Sequence, residues 1–252
     1  MTGQKFSRCS NIDSVINRSV WAIIPVRGGS KRLERKNIMP FAGTSLTRRV
    51  VETARRCGRF CRVLVTTDDQ EIAEEAKSAG AEVPFLRPAS LATDTASSLD
   101  TLLHAFEYML GAFPEDKPEA VGLLQATSPL LQARHLNEAV DVFFNGDFNS
   151  LSSMKRVTQH PEWMFYLDTV TRQATPESRS GIVSSAAELK KRFIENGAVY
   201  LVKTSWLAES KSIYDFDRHG CYEMSVEDSI DIDTRPDWDY AEFMFEKRQK
   251  SG

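Results

Sequence analysis

Residues Val20 to Val26 (VWAIIPV) form a run with no polar position, and a basic loop containing two glycines follows directly. A run of that kind has no face to offer to water, so it fits a strand covered on both sides. The next segments keep a strand–helix rhythm. Ser45 to Cys57 sets Leu46, Val50, Ala54 and Cys57 on one helical face, and Gly58 suits the position after the helix. Arg62 to Thr67 reads as a strand, and Asp69 to Ala79 as a helix with acids in its first turn. Ala81 to Leu86 reads as a short strand, Ser97 to Leu110 as a helix and Ala120 to Gln125 as a strand. Gln132 to Phe144 has helical spacing, and Ser150 to Val157 alternates as a strand does. Repeated alternation implies a mostly parallel sheet with helices on both faces, whose ligands gather at the carboxyl ends of the strands. The loops after Val26, Thr67 and Gln125 are the places to search.

The rhythm breaks between about residues 158 and 196, where His160-Pro161 and the aromatic Trp163, Phe165 and Tyr166 precede the polar TRQATPESRSG. This stretch reads as an inserted hairpin and arm, for subunit contacts or as a lid. Strands resume at Ala198 to Val202 and Tyr222 to Val226, and a last amphipathic helix runs from about Pro236 to Arg248. The expectation is a single α/β domain over residues 19–252 behind a polar leader, residues 1–18.

Composition narrows the partners. A net charge of −3 gives no general basic field, so the chain does not read as a nucleic-acid binder, and any anion site must be local. No apolar run approaches a membrane span, and the polar leader lacks the apolar core of a signal peptide. Cys9, Cys57, Cys61 and Cys221 lack the spacing of a zinc site and read as reduced thiols of a cytoplasmic protein. His104, His135, His160 and His219 are scattered, and no nucleophile–histidine arrangement emerges; His104 and His135 fall on helices, as surface or core-edge residues.

The loop after the first strand, Arg27-Gly28-Gly29-Ser30-Lys31-Arg32-Leu33-Glu34-Arg35-Lys36-Asn37, concentrates basic residues in an acidic chain. Gly28 and Gly29 let backbone amides approach an anion, Arg27 offers a planar fork, and Lys31 and Lys36 are movable point charges. Neither GxxxxGK[ST] nor GxGxxG is present. A solvated basic loop is the plain alternative, and the position after a buried strand favours phosphate. In Asp228-Ser229-Ile230-Asp231-Ile232-Asp233-Thr234, alternation puts Asp231 and Asp233 on one side of an extended segment and Ile230 and Ile232 on the other. Two converging carboxylates suit Mg²⁺ shared with phosphate oxygens. Taken alone, the segment would pass for an acidic edge; the phosphate loop in the same chain tips the reading to metal. Arg87, Ser98, Gln125 and the Asn196-Gly197-Ala198-Val199-Tyr200 segment are weaker signals, raised by their convergence on strand ends.

IPVRGGSKRLERKNI, VTTDDQEIAEEAKSAGAEVPFLRPASLATDTASS, LLQATSPL, NGAVYL and DSIDIDT, in that order, make the chain resemble the acylneuraminate cytidylyltransferase family, from about Trp21 to about Phe245. The resemblance implies a Rossmann-like nucleotidyltransferase fold, a homodimer with an inserted dimerisation arm, and CTP and an acidic ulosonic sugar as substrates. It also implies roles for single residues. Arg27, Lys36 and Asn37 would contact the triphosphate and cytidine, Arg87 and Ser98 would hold CTP, and Gln125 would lie between nucleotide and sugar. Asp231 and Asp233 would bind Mg²⁺, and Asn196 and Tyr200 would line the sugar site. Two departures stand out. Sialic acid synthetases commonly carry arginines at the slots of Ile194 and near Ala186, whereas here the basic residues are Lys190, Lys191 and Arg192. Either these take the sugar carboxylate, or the sugar differs from N-acetylneuraminate.

Overall fold

Successive residues of β1 (Val20–Pro25) serve two different cores: Val20, Ala22 and Ile24 pack into one, Trp21 and Ile23 into the other. That is why this strand shows no polar alternation. A computed structural model describes residues 18–177 and 189–251. Cys9, Ala186, the leader up to residue 17 and residues 178–188 of the expected arm lie outside the described residues.

After β1 come a short hairpin, β2 (Pro40–Phe41) and β3 (Thr44–Ser45), then α1 (Leu46–Cys57), β4 (Arg62–Thr66), α2 (Gln70–Ser78) and α3 (Ser98–Ala112). The chain continues through β5 (Ala120–Leu124), α4 (Ala133–Asn145), β6 (Ser150–Arg156) and the hairpin of β7 (Phe165–Leu167) and β8 (Ala174–Pro176). It ends with β9 (Phe193–Lys203), α5 (Thr204–Ser210), β10 (His219–Met224) and α6 (Arg235–Ser251). The main sheet has the order β10-β6-β9-β5-β1-β4, and only β9 runs against the others. The fold is mixed α/β with a mainly parallel sheet between helical layers.

Local chemistry sets the boundaries. Ser45 caps α1 by accepting the Arg48 amide, and Gly58 closes it at φ 70°. Asp69 caps α2 through the amides of Glu71 and Ile72, and Ser97 caps α3 through Asp100. Two expected strands are corrected. Ala81 to Leu86 gives only a bridge between Glu82 and Leu64, because Pro84 has no amide to extend a ladder. The strand expected at Ala198 begins at Phe193 instead: β9 passes Gly197, at φ 76°, within an irregularity where its register against β6 shifts between Ser152 and Met154.

His135, expected at the surface or core edge, is only 2% exposed. Its Nδ1 accepts the Gln132 amide, so the proton sits on Nε2, which faces Asp228 at 3.3 Å. Burial pushes the pKa of His135 down despite Asp228, and burial also lowers that of His219, which lies between Ser150 and Ser152. Both imidazoles therefore take up protons less readily folded than unfolded, and stability falls as pH drops below the ordinary value of 6.5. Urea unfolding at pH 7.5 and 5.5 should show the loss, and His135→Gln should shrink it; equal stability at both values would contradict this assignment.

Candidate active site

The carboxyl ends of β1 and β5 open into a cleft of about 650 Å³. Arg27, Ser30, Lys31, Lys36 and Asn37 enter it from the loop after β1, and Arg87 and Ser98 from the β4–α3 side. Gln125 closes β5 there, and Asp231 and Asp233 form the facing wall. The alternation expected of the acidic segment holds: Ile230 and Ile232 are buried in the core while the two carboxylates line the cleft.

The basic loop is fastened by its own side chains. Arg35 pairs with Asp69 at 2.9 Å and with Glu71, and Asn37 Nδ2 donates to the Arg27 carbonyl at 3.0 Å. Asn37 Oδ1 is then a buried acceptor with no partner among the described residues, open to a ligand donor. Lys36, 6% exposed, donates to the Ile232 carbonyl and lies 3.5 Å from Asp233. Burial lowers the pKa of this ammonium, while Asp233 and Asp231 pull the other way. Burial raises the pKa of Asp231, whose side chain is hydrogen-bonded by Thr127. Arg32 reaches Asp233 at 3.1 Å. On the opposite side, Arg27 meets Asp94 at 2.8 Å and Lys31 pairs with the same carboxylate. Hydrogen bonding from Lys31, then from Arg27, holds Asp94 below the usual carboxylate range. An incoming polyanion would exchange places with Asp94 on these two cations.

Arg87 lies in the wall with part of its guanidinium turned to the Thr66 carbonyl and hydroxyl, and burial lowers its pKa to about 10, leaving it charged at neutral pH. Ser98 is the first residue of α3; the cap itself is Ser97.

Four expected site residues fall outside the wall among the described residues: Gly28, Gly29, Asn196 and Tyr200. The Gly28 amide already donates to the Asp68 carboxylate at 3.0 Å, so it is occupied within the protein. Glycine is needed there because a Cβ would sit 2.7 Å from Asp69 Oδ2. Gly29 is exposed, with nothing near its Cβ position. Asn196 is buried and spent internally. Its Oδ1 accepts from Ser153 at 2.6 Å and from the Ala198 amide at 3.2 Å, and its Nδ2 donates to Ser229 at 2.8 Å. Tyr200 packs edge-on against Tyr214, beside Glu195, and burial pushes its phenol up to about 12. Arg32, Asp94, Thr127 and Gly197 also line the cleft, although none of them was assigned a role of its own. For Arg32 the dense basic loop was a usable signal, for Gly197 its place in the Asn196–Tyr200 segment, and for Asp94 the hydroxyl-rich loop that leads into α3; Thr127 had none.

The family model for cytidylyltransferases matches residues 21–217. A CMP-N,N'-diacetyllegionaminic acid synthase of Legionella pneumophila is 32% identical over 235 residues, 92% of this chain and 98% of that protein. A pseudaminic acid cytidylyltransferase of Campylobacter jejuni is 31% identical, covering 91% of this chain and 97% of its own. An N-acylneuraminate cytidylyltransferase of Escherichia coli is 30% identical over 91% of this chain and 52% of that protein. The structure of a CMP:2-keto-3-deoxy-manno-octonic acid synthetase complexed with CTP superposes with a TM-score of 0.66 at 14% identity, covering 91% of this chain and 99% of the other. At that identity the likeness concerns the fold.

Proposed function

The chain belongs to the cytidylyltransferase family, and on that premise we propose that it transfers CMP from CTP to the anomeric hydroxyl of an acidic 3-deoxy-2-keto sugar of the nonulosonic class. Pyrophosphate is the other product. The observation that carries this reading is one cleft in which Arg27, Lys31 and Lys36 face Asp231 and Asp233 at the carboxyl ends of β1 and β5.

The sugar hydroxyl attacks the α-phosphorus in line; the new P–O bond forms as the bond to the β-phosphate oxygen breaks. Arg27 and Lys31 hold the triphosphate once Asp94 is displaced, and Lys36, anchored on Ile232, neutralises charge on the departing pyrophosphate. Asp231 and Asp233 fit Mg²⁺ as the two carboxylates of a site completed by phosphate oxygens and water. Among the described residues no group of three or more His, Cys, Asp or Glu side chains is placed to hold a metal. When bound, the ion supplies Lewis-acid stabilisation of phosphate charge and acidifies the nucleophilic hydroxyl. A ³¹P spectrum of the products tests the chemistry: CMP-sugar and pyrophosphate are expected, whereas a CDP-sugar and free phosphate would place the attack elsewhere.

For the sugar carboxylate we assign Lys155. It stands directly opposite Ile194 in the β6–β9 ladder, so the two side chains share a face. Its Nζ lies 3.4 Å from the carbonyl of Ser229, two residues along the chain from Asp231; it stands outside the lining of the cleft and has no carboxylate partner among the described residues. Arg192, by contrast, is committed to Glu162, and Lys190 and Lys191 are exposed. Lys155→Met should raise the KM for the sugar about 10- to 100-fold, the worth of a charged hydrogen bond, with KM for CTP unchanged. Equal shifts in both, or none, would move the carboxylate site away from Lys155.

The proposed working state is a homodimer. Trp163, Met164, Phe165, Tyr166, Leu167 and Val170 expose a strip of apolar surface on and beside the β7–β8 hairpin, and a second copy could cover it. The proposed compartment is the cytoplasm, which suits the free thiols of Cys57, Cys61 and Cys221. Among the described residues no helix is long and apolar enough to cross a membrane.

A further inference from the structure

A second cavity, of about 470 Å³, lies between α1 and the last turns of α6, with Pro129, Leu130 and Leu131 as its floor. Its wall carries three guanidinium groups, Arg49, Arg56 and Arg248, and no carboxylate among the described residues. Arg248 is neutralised by Asp228. Among the described residues Arg49 and Arg56 form no such ion pair, although Glu52, which pairs with Arg48 at 3.7 Å, is close enough to act on the Arg49 charge. Arg49 lies 4.5 Å over the Phe245 ring and 5.1 Å over Phe41, and donates to the Phe41 carbonyl at 3.0 Å. Its Nε is buried with no partner among the described residues. Burial lowers the pKa of Arg49, the nearby charge of Arg56 lowers it further, and Glu52 pulls the other way. A buried donor without an acceptor and two cations without an ion-pair partner among the described residues make a site that an oxyanion would satisfy. Leu130, Leu131 and Phe245 offer an apolar surface beside it, and the volume is that of a small-molecule pocket.

We propose that this cavity is a second ligand site, separate from the CTP cleft, which takes a small organic anion with its carboxylate or phosphate on Arg49 and Arg56 and its apolar body on Leu130, Leu131 and Phe245. The charges choose the head group, and the floor rejects bare inorganic anions by leaving their far side against hydrocarbon.

8-Anilinonaphthalene-1-sulfonate, an anion on an apolar body, is the probe. It should bind the intact protein saturably with enhanced fluorescence, and saturating CTP with Mg²⁺ should leave the signal in place. Arg56→Gln changes an exposed side chain and keeps the fold, and it should weaken binding about tenfold, the equivalent of one good charge contact. Arg49→Lys, which keeps charge but loses the fork, should weaken it too. Hexanoate and hexyl phosphate should both displace the probe at concentrations where inorganic phosphate does not; whichever competes more strongly identifies the head group. Probe binding unaltered by either substitution, or abolished by CTP, would overturn the proposal, because the dye would then report the exposed hairpin or the catalytic cleft.

Discussion

Asp233→Ala protein should lose turnover by about a hundred- to a thousand-fold at saturating CTP and sugar, the scale of removing one charge-positioning group from a transition state. The protein should still fold, with an unfolding midpoint lowered because the buried Lys36 loses one of its two nearby carboxylates. The Asp233 carboxylate is half exposed, and its contacts are Arg32 at 3.1 Å and the buried Lys36 at 3.5 Å; without it, Lys36 keeps the Ile232 carbonyl and the nearby charge of Asp231. The fold of that segment rests instead on Ile230 and Ile232, on the Ile232 amide bonded to the Thr127 carbonyl, and on Asp237 accepting the amides of Asp233 and Thr234. All of these survive the substitution. Near-normal kcat at saturating Mg²⁺ would remove Asp233 from the metal site.

Asn196→Ala should act chiefly on stability instead. Removing the amide leaves the Ala198 amide and the Ser229 hydroxyl short of a partner, and frees the Ser153 hydroxyl, all in a buried network joining β6, β9 and the segment after β10. Unpaired groups of this kind cost about 1–3 kcal/mol each, and a network several such terms at once, so a loss of about 2–4 kcal/mol is expected. Thermal unfolding should show a drop of many degrees, while KM for the sugar in the folded fraction changes little. A normal melting temperature with a raised sugar KM would restore Asn196 to the sugar site.

The contrast between these two residues shows what the sequence could carry. Asp231 and Asp233 were legible because alternation with Ile230 and Ile232 dictates which side each faces, and burial of the isoleucines enforces it. Val20 to Val26 was legible for the same reason, since only a strand with two covered faces tolerates such a run. The internal bonds of Asn196 were not legible, because a sequence does not say whether an amide at a strand end turns to a ligand or is spent on Ser153 and Ser229, residues 43 and 33 positions away. Gly28 was half legible: glycine is required, but by the close approach of Asp69. The bridge at Glu82 shows that hydrophobicity marks a strand only where the backbone can keep donating, and Pro84 ends that. Lys155 stayed hidden because its relation to Ile194 exists only in the antiparallel register of β6 and β9. For Asp94 the loop was marked but not its place opposite Arg27 and Lys31, which comes from the path of the chain ahead of α3.

The most direct test is pyrophosphate release from CTP with Mg²⁺, run against N-acetylneuraminate, legionaminate, pseudaminate and 3-deoxy-octulosonates, with UTP and ATP as nucleotide controls. Release with CTP and a nonulosonic acid, and with neither UTP nor ATP, is the predicted result. Release that depends on UTP or ATP, or activity confined to the octulosonates, would contradict the assignment of a cytidylyltransferase acting on nonulosonic acids.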